Sequence, residues 1–186
     1  MGDNVCIMGK NMDKKISDIV GDLIKKYNPE GVAPFPFQNI ENDHDNLNIT
    51  FQELKDDIYG LILFDEDKST FVIAVNIKKS KIKQYFTIAH ELGHFFLHKE
   101  RIKEQKVIVD KDFEYSGYKV LFLSENDDIS KTEFEASEFA VHLIMPEHLV
   151  REVWKKLPNI EKGAEIFHVS SSMFSFRLEE LGIINS

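Results

Sequence analysis

Apolar residues recur along this chain with two periods, one helical and one extended. Between residues 13 and 27, Ile16, Ile19, Val20, Leu23, Ile24 and Tyr27 return at spacings of three and four. That spacing predicts an amphipathic helix packed on a core, and Asp13 stands where an N-cap belongs. Asn28-Pro29-Glu30-Gly31 ends it. Phe35 and Phe37, each set between prolines or polar residues, read as core plugs, and residues 42–46 read as a solvated acidic loop. Two branched and aromatic runs, residues 58–64 and 70–77, flank the polar Asp65-Glu66-Asp67-Lys68-Ser69, which predicts an antiparallel hairpin. The helical period returns over residues 82–98. Here Phe86, Ile88, Ala89, Leu92, Phe95, Phe96 and Leu97 are apolar nearly all round, the pattern of a buried helix. A second helix is predicted over residues 129–146, stopped by Pro146, with Ala136, Phe139, Ala140, Leu143 and Ile144 as its stripe. Residues 106–109 and 118–123 would form a second small hairpin or an excursion over a cleft. The tail from Pro146 is helical, and residues 164–182 have the form of a short helix, a Val-Ser turn and another helix.

Composition narrows the class. The chain has 186 residues, 42% of them hydrophobic, with 15 Phe, enough for a real core. Asp and Glu outnumber Lys and Arg 32 to 23, for a formal charge of −9. No basic run marks a nucleic-acid face, and the second tail helix sets Arg177 against Glu179 and Glu180, so direct DNA binding is not expected. The one cysteine, Cys6, cannot pair within the chain. No signal-peptide pattern and no stretch of ~18 apolar residues is present, so a cytoplasmic protein without membrane contact is expected. Lys78-Lys79-Ser80-Lys81 is a basic patch just before the buried helix, read as solvated, with contact to an acidic substrate segment as the alternative.

The chemistry lies within the buried helix. His90 and His94 are four apart and share a face, so two imidazoles aim at one point, and Glu91 borders that face. His-Glu-x-x-His on a helix is the spacing of a zinc hydrolase site, with two ligands and a general base. Two His and a Glu inside such an apolar helix call for a metal or a matching network, because buried polar groups need partners. Gly93, costly by ~1 kcal/mol in a helix interior, suggests that something packs close there. For a third ligand, at ~100° per residue Glu133 falls inside the apolar stripe of its helix, while Glu135, Glu138 and His142 fall on the opposite, polar face, towards water. A competing reading is a capping box, Ser130 to Glu133, in which Glu133 only bonds the N-cap amide. Glu114, Glu125, Asp127 and Asp128 are fallback ligands, and His98 reads as a cation at its helix C-terminus.

Phe86-Thr87-Ile88-Ala89-His90-Glu91-Leu92-Gly93-His94, then Glu133-Phe134-Glu135-Ala136-Ser137-Glu138-Phe139-Ala140 and Leu143-Ile144-Met145-Pro146, resemble the ImmA/IrrE family of metallopeptidases. The resemblance runs from the N-terminal helix to about Pro146 and more loosely beyond. It implies that His90, His94 and Glu133 bind one zinc ion per chain and that Glu91 is catalytic. It also implies a bacterial or phage-encoded protein whose substrate is a helix-turn-helix repressor. The sequence departs from the family pattern at Ser137, where Asn is usual, and at Val141-His142, where Ala-Glu is common.

The expectation is therefore an α+β, minimal zincin-like metallopeptidase domain. A small antiparallel sheet would pack on the active-site helix, with added N- and C-terminal helices. Residues 1–12 would be a loose N-terminus, 13–146 the peptidase domain and 147–186 a C-terminal helical extension. The function expected is zinc-dependent cleavage of a protein, with a metal-stabilised module that binds a regulator without cutting it as the alternative. Tyr85, Tyr115, Tyr118 and His98 are candidates for a second oxyanion donor.

Overall fold

The hairpin expected from the branched runs stands at the centre of the sheet. In a computed structural model, which describes residues 13–111 and 127–185, β2 (Ile58–Asp65) and β3 (Thr70–Asn76) pair antiparallel, with Ile62 opposite Ile73. β4 (Val107–Lys111) adds antiparallel to β2 on one side. β1 (Leu47–Gln52) adds to β3 on the other side and runs parallel to it, giving the order β1-β3-β2-β4. The sheet is therefore mixed, not wholly antiparallel as expected. The parallel pair arises because the chain returns from β1 to the edge of β3 only after crossing β2, a non-local pairing that no short-range pattern encodes. Residues 1–12, and the second half of the small hairpin expected at 118–123, lie outside the described residues.

Among the described residues, six further helices frame this sheet and the two that carry the motifs. α1 (Lys14–Tyr27) starts where predicted, with the Asp13 carboxylate accepting from the Lys15 amide. It buries Ile16, Val20, Leu23 and Tyr27. The stretch expected as a loop around residue 42 is instead the end of α2 (Phe37–Asp43). Asp43 accepts from the Tyr27 hydroxyl at 2.7 Å, and the His44 ring packs edge-on against Phe95 and Phe96. α2 and the residue after it also cover the start of the outer edge of β1: the Glu41 carboxylate accepts from the Ile49 amide at 2.7 Å, and the His44 carbonyl accepts from the Leu47 amide at 2.9 Å.

α3 (Lys81–Leu97) lies on the sheet and carries the His-Glu-x-x-His pentapeptide. Its start is fixed twice. The Ser80 hydroxyl caps it by accepting from the Lys83 amide, and the buried Gln84 amide donates to the carbonyls of Ile77 and Lys79. Just before, fully buried Asn76 donates to the carbonyls of Lys55 and Ile58 and accepts from the Lys78 amide, which ties the end of β3 to the loop leading into β2. α4 (Lys99–Gln105) leads into β4, and α5 (Asp127–Ile144) packs along α3.

The tail is helical as expected: α6 (Glu147–Lys156), α7 (Ile160–Phe167) and α8 (Ser171–Glu180). His168 takes the left-handed conformation between α7 and α8, and Ser170 caps α8. Val150, Ala164, Phe167, Phe174 and Leu178 join the same hydrophobic cluster as α1, the sheet and α3. Arg177, the basic residue weighed for DNA, is 1% exposed. Its guanidinium donates to the Met145 carbonyl and to Glu180, so it serves packing between α5 and α8. Among the described residues no helix is long and apolar enough to cross a membrane.

Candidate metal centre

The helical spacing of His90 and His94 brings their Nε2 atoms to 3.1 Å from each other. α5 supplies the third group: Glu133 Oε2 lies 3.2 Å from His90 Nε2, and Oε1 lies 3.4 Å from His94 Nε2. Donors placed tetrahedrally ~2.0–2.1 Å from a zinc ion stand about 3.3 Å apart. The two Nε2 atoms, and the carboxylate oxygen nearest to each, stand close to that separation, Oε2 on His90 and Oε1 on His94. All three residues are buried, His90 and His94 completely. Burial holds the His94 imidazole down to about 4, so its neutral form, the one with a lone pair to give, prevails at pH 7. Burial alone would push the Glu133 carboxyl up, but the two imidazoles set against it, His90 first, outweigh that and hold the group well below the usual carboxylate range. Among the described residues this is the one group of three His, Cys, Asp or Glu side chains close enough to share an ion.

A glycine sets the approach of the two helices. A Cβ on Gly93 would stand 2.9 Å from both Cα and O of Ala136, closer than real Cβ atoms come to backbone. Only a hydrogen at this position lets α5 lie near enough for Glu133, one turn before Ala136, to reach both imidazoles. The close packing expected from Gly93 is present. The capping-box reading of Glu133 fails, because α5 begins at Asp127 and Ser130 lies inside it.

A family model described as Peptidase M78, IrrE N-terminal-like domain, matches residues 44–179. The chain belongs to this metallopeptidase family. Metallopeptidase ImmA of Bacillus subtilis (strain 168) is 33% identical over 122 residues, covering 64% of this chain and 63% of ImmA. The uncharacterized immunity region protein 2 of Bacillus phage phi105 is 28% identical over 140 residues, 74% of this chain and 72% of that protein. In fold, the chain is similar to a Mycobacterium tuberculosis transcriptional regulator with a TM-score of 0.60 at 13% identity, over 91% of this chain and 48% of that one. It thus matches just under two thirds of the length of ImmA and about half of the regulator.

Within this M78 domain the remaining candidates are distributed as follows. Glu91 is fully buried on α3. Its Oε1 sits 3.3 Å from where a Cβ of Gly60 would be, and that Cβ would also strike Thr87 Cγ2 at 2.4 Å. Gly60 therefore gives α3 room to lie on β2 and the Glu91 carboxylate room beside it. The glycine's place within a hydrophobic run was the only sequence signal for this. Tyr85 is partly buried, its hydroxyl engaged with the Phe35 backbone, accepting from the amide at 2.6 Å, and burial pushes its ionisation far up. That role is structural. Tyr115, Tyr118, Glu114 and Glu125 lie outside the described residues.

The polar face of α5 does not point to water as expected. Glu135 Oε2 lies 2.9 Å from His98 Nε2, and His98 Nδ1 lies 3.2 Å from His94 Nδ1. His98 is thus behind a candidate ligand, and burial lowers its basicity, so it is not the exposed helix-end cation expected. Ser137 Oγ stands 3.2 Å from His90 Nδ1. Glu138 is 5% exposed and accepts from the Asp13 amide, and burial, with Glu180 next, pushes its carboxyl up to about 7. His142 lies against the Arg177 guanidinium, and burial, reinforced by that charge, takes it down to about 3. Helical phase names the residues that share a face, whereas the neighbours of that face, here α1, α8 and His98, decide whether it meets solvent.

Proposed function

We propose that the chain is a zinc-dependent endopeptidase with His90, His94 and Glu133 as metal ligands, Glu91 as general acid–base and a helix-turn-helix repressor as substrate. The observation that carries this reading is the convergence of three buried side chains, with the two Nε2 atoms 3.1 Å apart and the Glu133 carboxylate reaching one through Oε2 at 3.2 Å and the other through Oε1 at 3.4 Å, an arrangement one ion can share. Two neutral nitrogens and one carboxylate suit zinc and leave one position open for catalysis. A zinc ion there supplies Lewis acidity, polarising a peptide carbonyl and acidifying water. Glu91, one residue beyond the first His on the same helix, takes the proton of the attacking water on a carboxylate oxygen and returns it to the leaving amine nitrogen. Its burial against β2 at Gly60 restricts the rotamers of that carboxylate and keeps bulk water from it. The repressor as substrate is supported by the resemblance to the ImmA/IrrE family and by the similarity to a phage immunity region protein.

The test is incubation of the purified protein with a candidate repressor, with zinc and with chelator, read by gel and by mass of the fragments. Cleavage that chelator abolishes and zinc restores is expected. Glu91→Gln should keep zinc and fold but lose ~10²–10⁴-fold in rate, because an amide cannot accept the proton. Stoichiometric zinc with repressor bound and uncut would refute the peptidase and leave the non-catalytic module.

A further inference from the structure

His98 and Glu135 take no part in the reaction just described, yet they stand in line behind one ligand. From the pocket outward the order is His94 Nε2, His94 Nδ1, His98 Nδ1 at 3.2 Å, His98 Nε2, and Glu135 Oε2 at 2.9 Å. The His98 side chain is 8% exposed and that of Glu135 is 26% exposed. Lys131 Nζ lies 3.7 Å from Glu135 Oε1 at the solvent end.

For His94 to give its Nε2 lone pair to a metal, the protons of this line have one arrangement. An ionised carboxylate only accepts, so His98 Nε2 must carry the proton it donates to Glu135. Neutral His98 then has a bare Nδ1, which accepts from His94 Nδ1–H. His94 in turn has its proton on Nδ1 and a lone pair on Nε2, aimed at His90 Nε2 and Glu133. The reverse arrangement would turn a His94 Nε2–H into the pocket, and a protonated nitrogen has no lone pair to give. The carboxylate at the far end thus selects the ligand tautomer two rings away. Ser137 behind His90 cannot do this, because a hydroxyl donates or accepts as its neighbour requires.

We propose that His98 and Glu135 are positioning residues, a relay that fixes His94 in its Nδ1–H tautomer and ring orientation and so sets the affinity of the site for its metal. This rests on the metal-binding reading above. It also reassigns Glu135, which helical phase had turned to water.

Zinc titration of the metal-free full chain against a chromophoric chelator tests it, together with ¹⁵N NMR of the imidazoles before metal is added. His98→Leu should bind zinc ~10–100-fold more weakly, the range for partners that orient a ligand, and should show His94 with its proton no longer confined to Nδ1. Glu135→Leu should shift both readouts the same way. His98→Gln should recover most of the affinity and the Nδ1–H signal, since its amide accepts from His94 and donates to Glu135. Lys131→Gln, beyond the end of the relay, should match wild type. Wild-type affinity in His98→Leu, or equal loss in His98→Leu and His98→Gln, overturns the relay while the metal site stands. A wild-type chain that binds no zinc overturns both readings.

Discussion

Replacing Gly93 by Ala separates the helical preference of one residue from the geometry of the whole site. On propensity alone, Ala at a helix interior should stabilise by ~1 kcal/mol. The structure opposes this, since the new Cβ would stand 2.9 Å from Cα and O of Ala136, where ordinary contact begins near 3.4 Å. Both atoms are backbone, so no side chain can swing away, and α3 and α5 must separate by about 0.5 Å or bend. Overpacking of this kind costs ~1–3 kcal/mol. Net stability should fall by up to ~2 kcal/mol, or a few degrees in Tm for a chain of this size. The effect on metal should be larger. Glu133 lies one turn from Ala136 and moves with it, and ligand distances tolerate only about ±0.2 Å. Zinc affinity should drop ~10-fold or more, by analogy with misoriented ligands. Calorimetric melting of metal-free and zinc-loaded protein, with a zinc titration, reads both effects. A variant that melts higher than wild type and binds zinc equally well would refute the argument that this close approach holds Glu133 in reach.

Glu133→Gln should lose zinc by well over the ~10–100-fold of an orienting partner, because a neutral amide replaces an anionic donor. Glu138→Gln, buried on the other side of α5, should titrate as wild type. The same Glu138→Gln variant has a pH signature. The folded carboxyl, raised to about 7 from an ordinary 4.5, favours its protonated form, so the contribution of this group to stability is fully present below about 4.5 and is lost as pH rises through 7. Urea unfolding at pH 4.5 and 8 should show this decline in wild type and a flatter profile, with a gain at pH 8, in the variant. An unchanged decline would mean that another group carries it.

The parts legible in the sequence are those fixed by local period. α1, the central hairpin and α3 follow from spacings within a dozen residues, and the two imidazoles from a single helical turn. Glu133 was legible because one carboxylate sat inside an apolar stripe. β1 was not: Leu47, Ile49 and Phe51 alternate, but for only three positions beside an acidic stretch, and their pairing with β3 is parallel and distant. Nor were the partners of Glu135, Glu138 and His142, since those depend on which helices arrive at the far side of α5. Gly60 showed only as a break in an apolar run, because its meaning lies in Thr87 and Glu91, far along the chain.

The covered start of the outer edge of β1 has a consequence beyond the site. A sheet edge with idle amides is a template on which other chains add strands and aggregate. Here the Leu47 and Ile49 amides are already taken by the His44 carbonyl and the Glu41 carboxylate. α2 and the residue after it thus serve as a hem along the first half of this edge. They also add negative charge where an incoming strand would dock. A foreign strand must break those bonds before it can register with β1, so templated self-assembly through this edge is disfavoured by the fold itself.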